Sequence, residues 1–154
     1  MGNKIFFLIT AILFQIFLGN SYSQDDTSIQ DILEKVNKKV ILLEDDKQEI
    51  VNLTIELLVG TKNSKAIYRK LDNTFTYTLI ALTDKRIADM SITVYKKTEK
   101  DWEFVAETSG KNPTVTIIPT DYVLYEITFK AVEFSEGYRG GHFASFLYHI
   151  KPKN

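Results

Sequence analysis

Beyond Ser64 the sequence alternates apolar and polar side chains in short runs broken by polar turns, a period of two that a strand satisfies and a helix does not. Residues 66–71 end at Asp72-Asn73, and residues 74–83 set Phe75, Tyr77 and Leu79 against Thr74, Thr76 and Thr78. Residues 89–97 set Met90, Ile92 and Val94 against Ser91, Thr93 and Tyr95. The turn Thr98-Glu99-Lys100-Asp101 leads into 102–108, and Ser109-Gly110-Lys111-Asn112-Pro113 leads into 114–118. In 122–132 Val123, Tyr125, Ile127 and Phe129 share one face, and a last strand spans 142–151. About seven strands with turn signals at this spacing predict a mainly β chain, an antiparallel β-sandwich or jelly roll. No helical pattern separates the strands, which argues against a parallel sheet.

The N-terminal third reads differently. After Gln24-Asp25-Asp26, Thr27 and Gln30 have capping-box spacing, and Ile29, Ile32, Leu33, Val36 and Val40 recur on one helical face. This predicts a helix over 28–42, with acids early and lysines late, as the helix dipole favours. Over 47–59 two patterns overlap. Ile50, Leu53, Leu57 and Leu58 keep helical spacing before Gly60, while Val51, Leu53, Ile55 and Leu57 alternate and Thr54 and Ile55 are β-branched. The charged entry Glu44-Asp45-Asp46 and the terminal Gly60 favour a second helix, with a strand as the other reading. The expected organisation is therefore a leader at 1–23, a helical segment at 24–63 packed on or beside an open sheet edge, and a sandwich at 64–154.

The leader has the three parts of a signal peptide: Lys4, an apolar run over 5–18, and the small polar exit Gly19-Asn20-Ser21-Tyr22-Ser23, with cleavage near Ser23/Gln24. Its apolar run falls short of the roughly 20 residues that cross a bilayer, so no membrane span is expected after cleavage. The expected location is secreted or periplasmic. Among 154 residues there is no cysteine, which excludes disulfides, thiolate catalysis, thiolate zinc sites and a lipid-modified N-terminal cysteine. An exported domain without disulfides rests on its hydrophobic core, a pattern more usual in bacterial envelopes than in small animal secreted domains. The mature part carries 18 basic and 20 acidic residues, interspersed, which argues against a nucleic-acid partner.

The stretch from Tyr68 to His149 resembles the bacterial pre-peptidase C-terminal type of β-sandwich. The resemblance rests on Ile67-Tyr68-Arg69-Lys70-Leu71, an aromatic strand around Tyr77, and Ala88-Asp89-Met90-Ser91-Ile92-Thr93-Val94-Tyr95. It continues with Phe104-Val105-Ala106-Glu107-Thr108, Val115-Thr116-Ile117-Ile118-Pro119 and the strands at Tyr125 and Tyr148. It departs at Leu124-Tyr125, where the family often has Gly-Thr-Tyr, and the N-terminal helices lie outside the family pattern. Such domains accompany secreted peptidases as non-catalytic appendages; what the resemblance implies here is the fold and a non-enzymatic binding role.

Five residues are candidate contact groups. Tyr138, Arg139 and His142 lie in the glycine-rich stretch Gly137-Tyr138-Arg139-Gly140-Gly141-His142, whose other reading is a loop that turns the chain into its last strand. Tyr95 and Trp102, together with Tyr138, offer flat surfaces for sugar rings, or alternatively core packing. His142 and His149 stand an odd number of residues apart, so on one strand they face opposite ways and cannot pair on a metal. Asp72, Asp84, Asp89 and Asp121 stand near strand ends, where turn chemistry explains them better than a calcium site. Asn52-Leu53-Thr54 matches a glycosylation pattern in an apolar context. No nucleophile elbow and no zinc-protease motif occurs. No catalytic residue, metal or cofactor is assigned. The expected function is an exported non-catalytic module that contacts a protein or carbohydrate in the envelope. The alternatives are a periplasmic chaperone or inhibitor working through an exposed sheet edge, and a small hydrolase built from Arg139, His142 and a carboxylate.

Overall fold

The computed structural model describes residues 28–150; the leader and its cleavage point lie outside the described residues. One helix, α1 (Ser28–Asp45), is followed by eight strands: β1 (Gln48–Val59), β2 (Ser64–Lys70), β3 (Tyr77–Thr83), β4 (Ile87–Lys97), β5 (Trp102–Gly110), β6 (Thr114–Ile117), β7 (Leu124–Phe134) and β8 (Gly140–Ile150). Two antiparallel sheets of four strands form, in the orders β1-β8-β3-β6 and β2-β7-β4-β5. Apart from the β4–β5 hairpin, successive strands cross from one sheet to the other, the arrangement of a jelly roll.

All seven sequence-predicted strands are present, and the segment 48–59 supplies the eighth. The preference for a second helix there is corrected. Lys47 takes a left-handed conformation (φ 57°), with its N–H donating to Glu44 O at 3.0 Å, and this ends α1 immediately before β1. The β-branched residues Ile50, Val51, Thr54, Ile55 and Val59 then suit a pleated strand, and β8 offers a partner to each of them except Val51, which stands in a bulge. Gly60 does adopt a positive φ of 75°, but it closes a strand and opens the β1–β2 turn.

The expectation that the helix packs at a sheet edge is also corrected. α1 lies across the outer face of the first sheet, with Ile32, Val36 and Leu43 packed on Ala144 and Phe146 of β8 and flanked by Ile80, Leu82 and Tyr148. Lys35 ties it down, donating to Thr83 O at 2.8 Å and pairing with Asp31 at 3.0 Å. The opposite face of that sheet joins the main core. Phe143 and Leu147 of β8 and Leu79 and Ala81 of β3 meet Met90, Ile92, Val94, Ile127 and Phe129 of the second sheet. The rings of Phe129 and Phe143, 5.1 Å apart, join the two sheets. The described residues thus form three layers, helix, sheet and sheet, in which the first sheet is covered on both faces and the second on one.

Burial on β7 and β8 generates two predictions. Phe146→Ala empties the helix-facing layer and is expected to cost about 3–5 kcal/mol of stability, read by urea unfolding. Burial raises Tyr125 and Tyr148 above the ordinary tyrosine value of 10.0. A raised folded-state pKa means stability that is present below the unfolded value and lost as pH rises through the folded one, so an alkaline titration should unfold the domain above pH 10.

Candidate functional site

The uncovered outer face of the second sheet is ordered in rows across four strands. The register places Tyr68 of β2 beside Glu126 of β7, Glu126 beside Tyr95 of β4, and Tyr95 beside Phe104 of β5. Tyr68 is 48% exposed and Phe104 56%. Tyr95 and Phe104 meet edge to face at 6.0 Å. Trp102 starts β5, and its ring reaches across the face to within 6.0 Å of Tyr68, with the Lys97 ammonium 5.3 Å from the indole centre. One end of the sheet therefore carries four aromatic rings close together on rigid strands.

The next rows are polar. Ala66, Thr128, Thr93 and Glu107 form one, and Ser64, Lys130, Ser91 and Ser109 the next. From these rows Thr93, Glu107, Thr128, Ser91, Ser109 and Lys130 line a shallow depression of about 640 Å³, together with Val132 and with Thr61 and Lys62 of the β1–β2 turn. Thr93 Oγ1 donates to Glu107 Oε1 at 3.4 Å and Thr128 Oγ1 to Glu126 Oε1 at 3.3 Å, which aligns the carboxylates along the face. Rings followed by hydroxyls, carboxylates and an ammonium form a surface that can stack on an apolar ring face and exchange hydrogen bonds with the substituents around it.

The structure divides the five predicted contact residues. Tyr95 and Trp102 lie on this face. Tyr138, Arg139 and His142 lie at the opposite end of the strands, where the β7–β8 connection meets the β3–β4 turn. Each has a structural partner there. The Tyr138 ring lies 5.4 Å from the Arg86 guanidinium carbon, and Arg139 O accepts from Gly60 N at 2.8 Å. His142 N donates to Asp84 Oδ2 at 2.8 Å. Asp84 is fully buried; its other oxygen accepts from Arg86 N at 2.8 Å, and its own N–H donates to His142 O at 3.0 Å. The carboxylate nearest His142, 3.9 Å from Nδ1, thus spends both oxygens on backbone amides and fastens a turn to β8.

The two imidazoles do face opposite sides of β8. His149 points into the sandwich, stacked on Phe75 at 4.1 Å and edge-on to Tyr77. Among the described residues no group of three or more His, Cys, Asp or Glu side chains could hold a metal ion. Asp72 does turn work: Oδ1 accepts from Thr74 N at 2.8 Å, and that backbone hydrogen bond holds its carboxyl below the usual range. Among the described residues no helix is long and apolar enough to cross a membrane.

Sequence reasoning missed Tyr68, Phe104, Glu126 and the hydroxyl rows. Their signal was present as the polar half of each alternation, such as Ser91, Thr93 and Tyr95 against Met90, Ile92 and Val94. What joins them into a site is strand register, which a single strand does not reveal.

No protein-family model matches the chain, and no curated protein matches it. Solved structures show a distant likeness to β-sandwich domains. One is CorA, a surface-associated copper-binding protein important in copper acquisition by Methylomicrobium album BG8. It has 8% identity and a TM-score of 0.53, over 62% of this chain and 92% of that one. A CBM4 structure has 10% identity and a TM-score of 0.39 over 68% and 78%, and a structure of the Bacillus endospore appendages, which form disulfide-linked pili, has 11% and 0.38 over 68% and 91%. At such identities the likeness concerns the fold.

The glycine-rich connection has its own test. A Cβ on Gly141 would stand 2.8 Å from both Asp84 Oδ1 and Ile87 Cγ1. Gly141→Ala is therefore expected to lower stability by about 1–3 kcal/mol, read by thermal unfolding, while leaving ligand retention by the folded protein unchanged.

Proposed function

We propose that the chain is an exported, non-catalytic binding module of the cell envelope that takes a glycan chain on the open face of its second sheet. The observation that carries this reading is the asymmetry of the layers. α1 closes the outer face of the first sheet, while among the described residues the outer face of the second sheet stays bare and holds Tyr68, Trp102, Tyr95 and Phe104 beside a hydroxyl-lined depression. A sugar ring has apolar faces and a polar rim, and this surface supplies rings for the first and hydrogen-bonding groups for the second. Strands hold these groups with little entropy left to lose on binding.

Other features support the same reading. The leader directs export, and the strand pattern resembles appendage domains that bind without catalysis. The carboxylate beside His142 accepts from two backbone amides, which gives it a part in fastening the β3–β4 turn to β8. Copper is named for CorA; here the two imidazoles point to opposite faces, which gives copper no shared cradle.

The test uses the mature chain recovered from its producing cell, which should begin near Gln24. Affinity electrophoresis against envelope and extracellular polysaccharides should show retention by at least one glycan, with no release of reducing ends. Trp102→Ala and Tyr68→Ala should each weaken retention about tenfold, equivalent to ~1.4 kcal/mol, and leave the melting temperature near that of the parent. Retention that is indifferent to both substitutions would remove the open face as the site.

A further inference from the structure

Of the four strands at sheet edges, three carry features that discourage pairing with another chain. β2 presents Lys65, Arg69 and Lys70, β6 spans only Thr114–Ile117, and β5 bulges at Val105 with Glu103 and Glu107 on either side. β1 differs. It is 12 residues long, its charges are Glu49 and Glu56, and Glu56 already pairs with Lys65 of the other sheet at 3.5 Å. A bulge at Val51 interrupts its beginning, and from Asn52 onward its register with β8 is unbroken. On the helix side Leu53 is 38% and Leu57 45% exposed, with Val59 and the helix residues Leu33 and Ile41 also exposed.

We infer that β1 is the interface of a symmetric dimer, in which the β1 strands of two copies pair antiparallel about Ile55 and extend the first sheets into one. A twofold axis perpendicular to a sheet keeps each side chain on its own face, so the centre of such a pairing falls on a residue. Centring on Ile55 sets Leu53 of each copy against Leu57 of the other, Thr54 against Glu56, and Asn52 against Leu58. The ladder then runs over 52–58, clear of the Val51 bulge. Centring on Glu56 would oppose that carboxylate to its own copy, which is unfavourable, and centring on Thr54 would bring the bulge into a shorter ladder. The favoured register also carries Glu49 of each copy to the β1–β2 turn of the other, where Lys62 is exposed, so opposite charges meet at both ends. The apolar strip of Leu53 and Leu57 is covered in the same step. The axis leaves both second sheets on one side, with their open faces pointing the same way, although the interface stands whatever those faces bind.

Sedimentation equilibrium of the mature chain should show a dimer that dissociates on dilution. Leu53→Lys and Leu57→Glu should each weaken it at least about tenfold, with a melting temperature like the parent's at dilutions where both are monomeric, and the two together in one chain should restore it, because each new lysine then faces a new glutamate. At a central antiparallel pair the Cα atoms lie about 4.5–5.5 Å apart, within disulfide reach. In this cysteine-free chain, Ile55→Cys should give a disulfide-linked dimer on non-reducing gels, and Lys100→Cys, on a distant hairpin, should not. A chain that stays monomeric at every concentration, failure of the Ile55→Cys cross-link, or failure of the double variant to restore the dimer would each overturn the inference. So would a monomer that takes a foreign extended peptide along β1 and loses it on Leu53→Lys.

Discussion

The structure depends on β8 being buried on both faces. It is the only strand that pairs with β1 and with β3, and its side chains go alternately into two different cores. Phe143 and Leu147 fill the space between the sheets, while Ala144 and Phe146 receive the helix. An antiparallel strand usually shows one face to water; β8 does not, and its sequence Phe143-Ala144-Ser145-Phe146-Leu147 is apolar almost throughout. The one hydroxyl there is satisfied, since Ser145 Oγ and Thr54 Oγ1 lie 2.7 Å apart. Such a strand needs a cover for its second face. The amphipathic α1 supplies one, and the neighbours Ile80, Leu82 and Tyr148 share it.

That requirement sets the asymmetry on which the proposed binding role rests. Among the described residues one helix covers one sheet and no second helix covers the other, because the segment after α1 is taken up as β1. The second sheet answers with composition. Its outward positions on β4 and β7 are Ser91, Thr93, Tyr95, Glu126, Thr128 and Lys130, which water solvates, and its largest exposed rings are gathered at one end with ammonium groups nearby. The same residues that make an uncovered sheet tolerable in water are the ones able to bind. In the proposed role, stability and binding thus use opposite faces of the same strands, and a substitution on the outward face is expected to change binding with little effect on the core.

Sequence reading located all seven strands beyond Ser64, both those with one wet face, such as β4 and β7, and β8, which is covered on both, and the helix predicted over 28–42 extends to Asp45. It failed at 48–59 for a physical reason. Ile50 and Ile55 turn to the helix, Leu58 turns to the main core, and Leu53, Leu57 and Val59 stay exposed, so the apolar positions follow neither period cleanly. The bulge at Val51 shifts the phase of the alternation within the strand. The contact residues show the same limit. Tyr95 and Trp102 were legible as aromatics beside a turn, but Tyr68 joins them from a strand some thirty residues earlier in the chain, through β7 and β4. Only pairing across the sheet states that neighbourhood. The glycine-rich stretch was conspicuous by composition, and the structure shows what composition left open: its unusual residues let β8 pass close to Asp84 and Ile87.

The free edge and the open face are linked by the same geometry. An edge strand whose ladder runs unbroken from Asn52 onward and which exposes leucines would be a hazard in a monomer, and the other three edges show the usual defences of charge, shortness and bulging. Leaving one edge undefended is tolerable where it is occupied. Occupation by a second copy converts a single shallow face, with the modest affinity of a few stacked rings, into two faces oriented alike. On a polymer long enough to reach both, the second contact becomes intramolecular, and its strength follows from the fixed spacing of the two faces. A weak site is then sufficient for firm retention on a repeating ligand and remains weak for a single unit, which is the selectivity a shallow, hydroxyl-lined surface cannot reach alone.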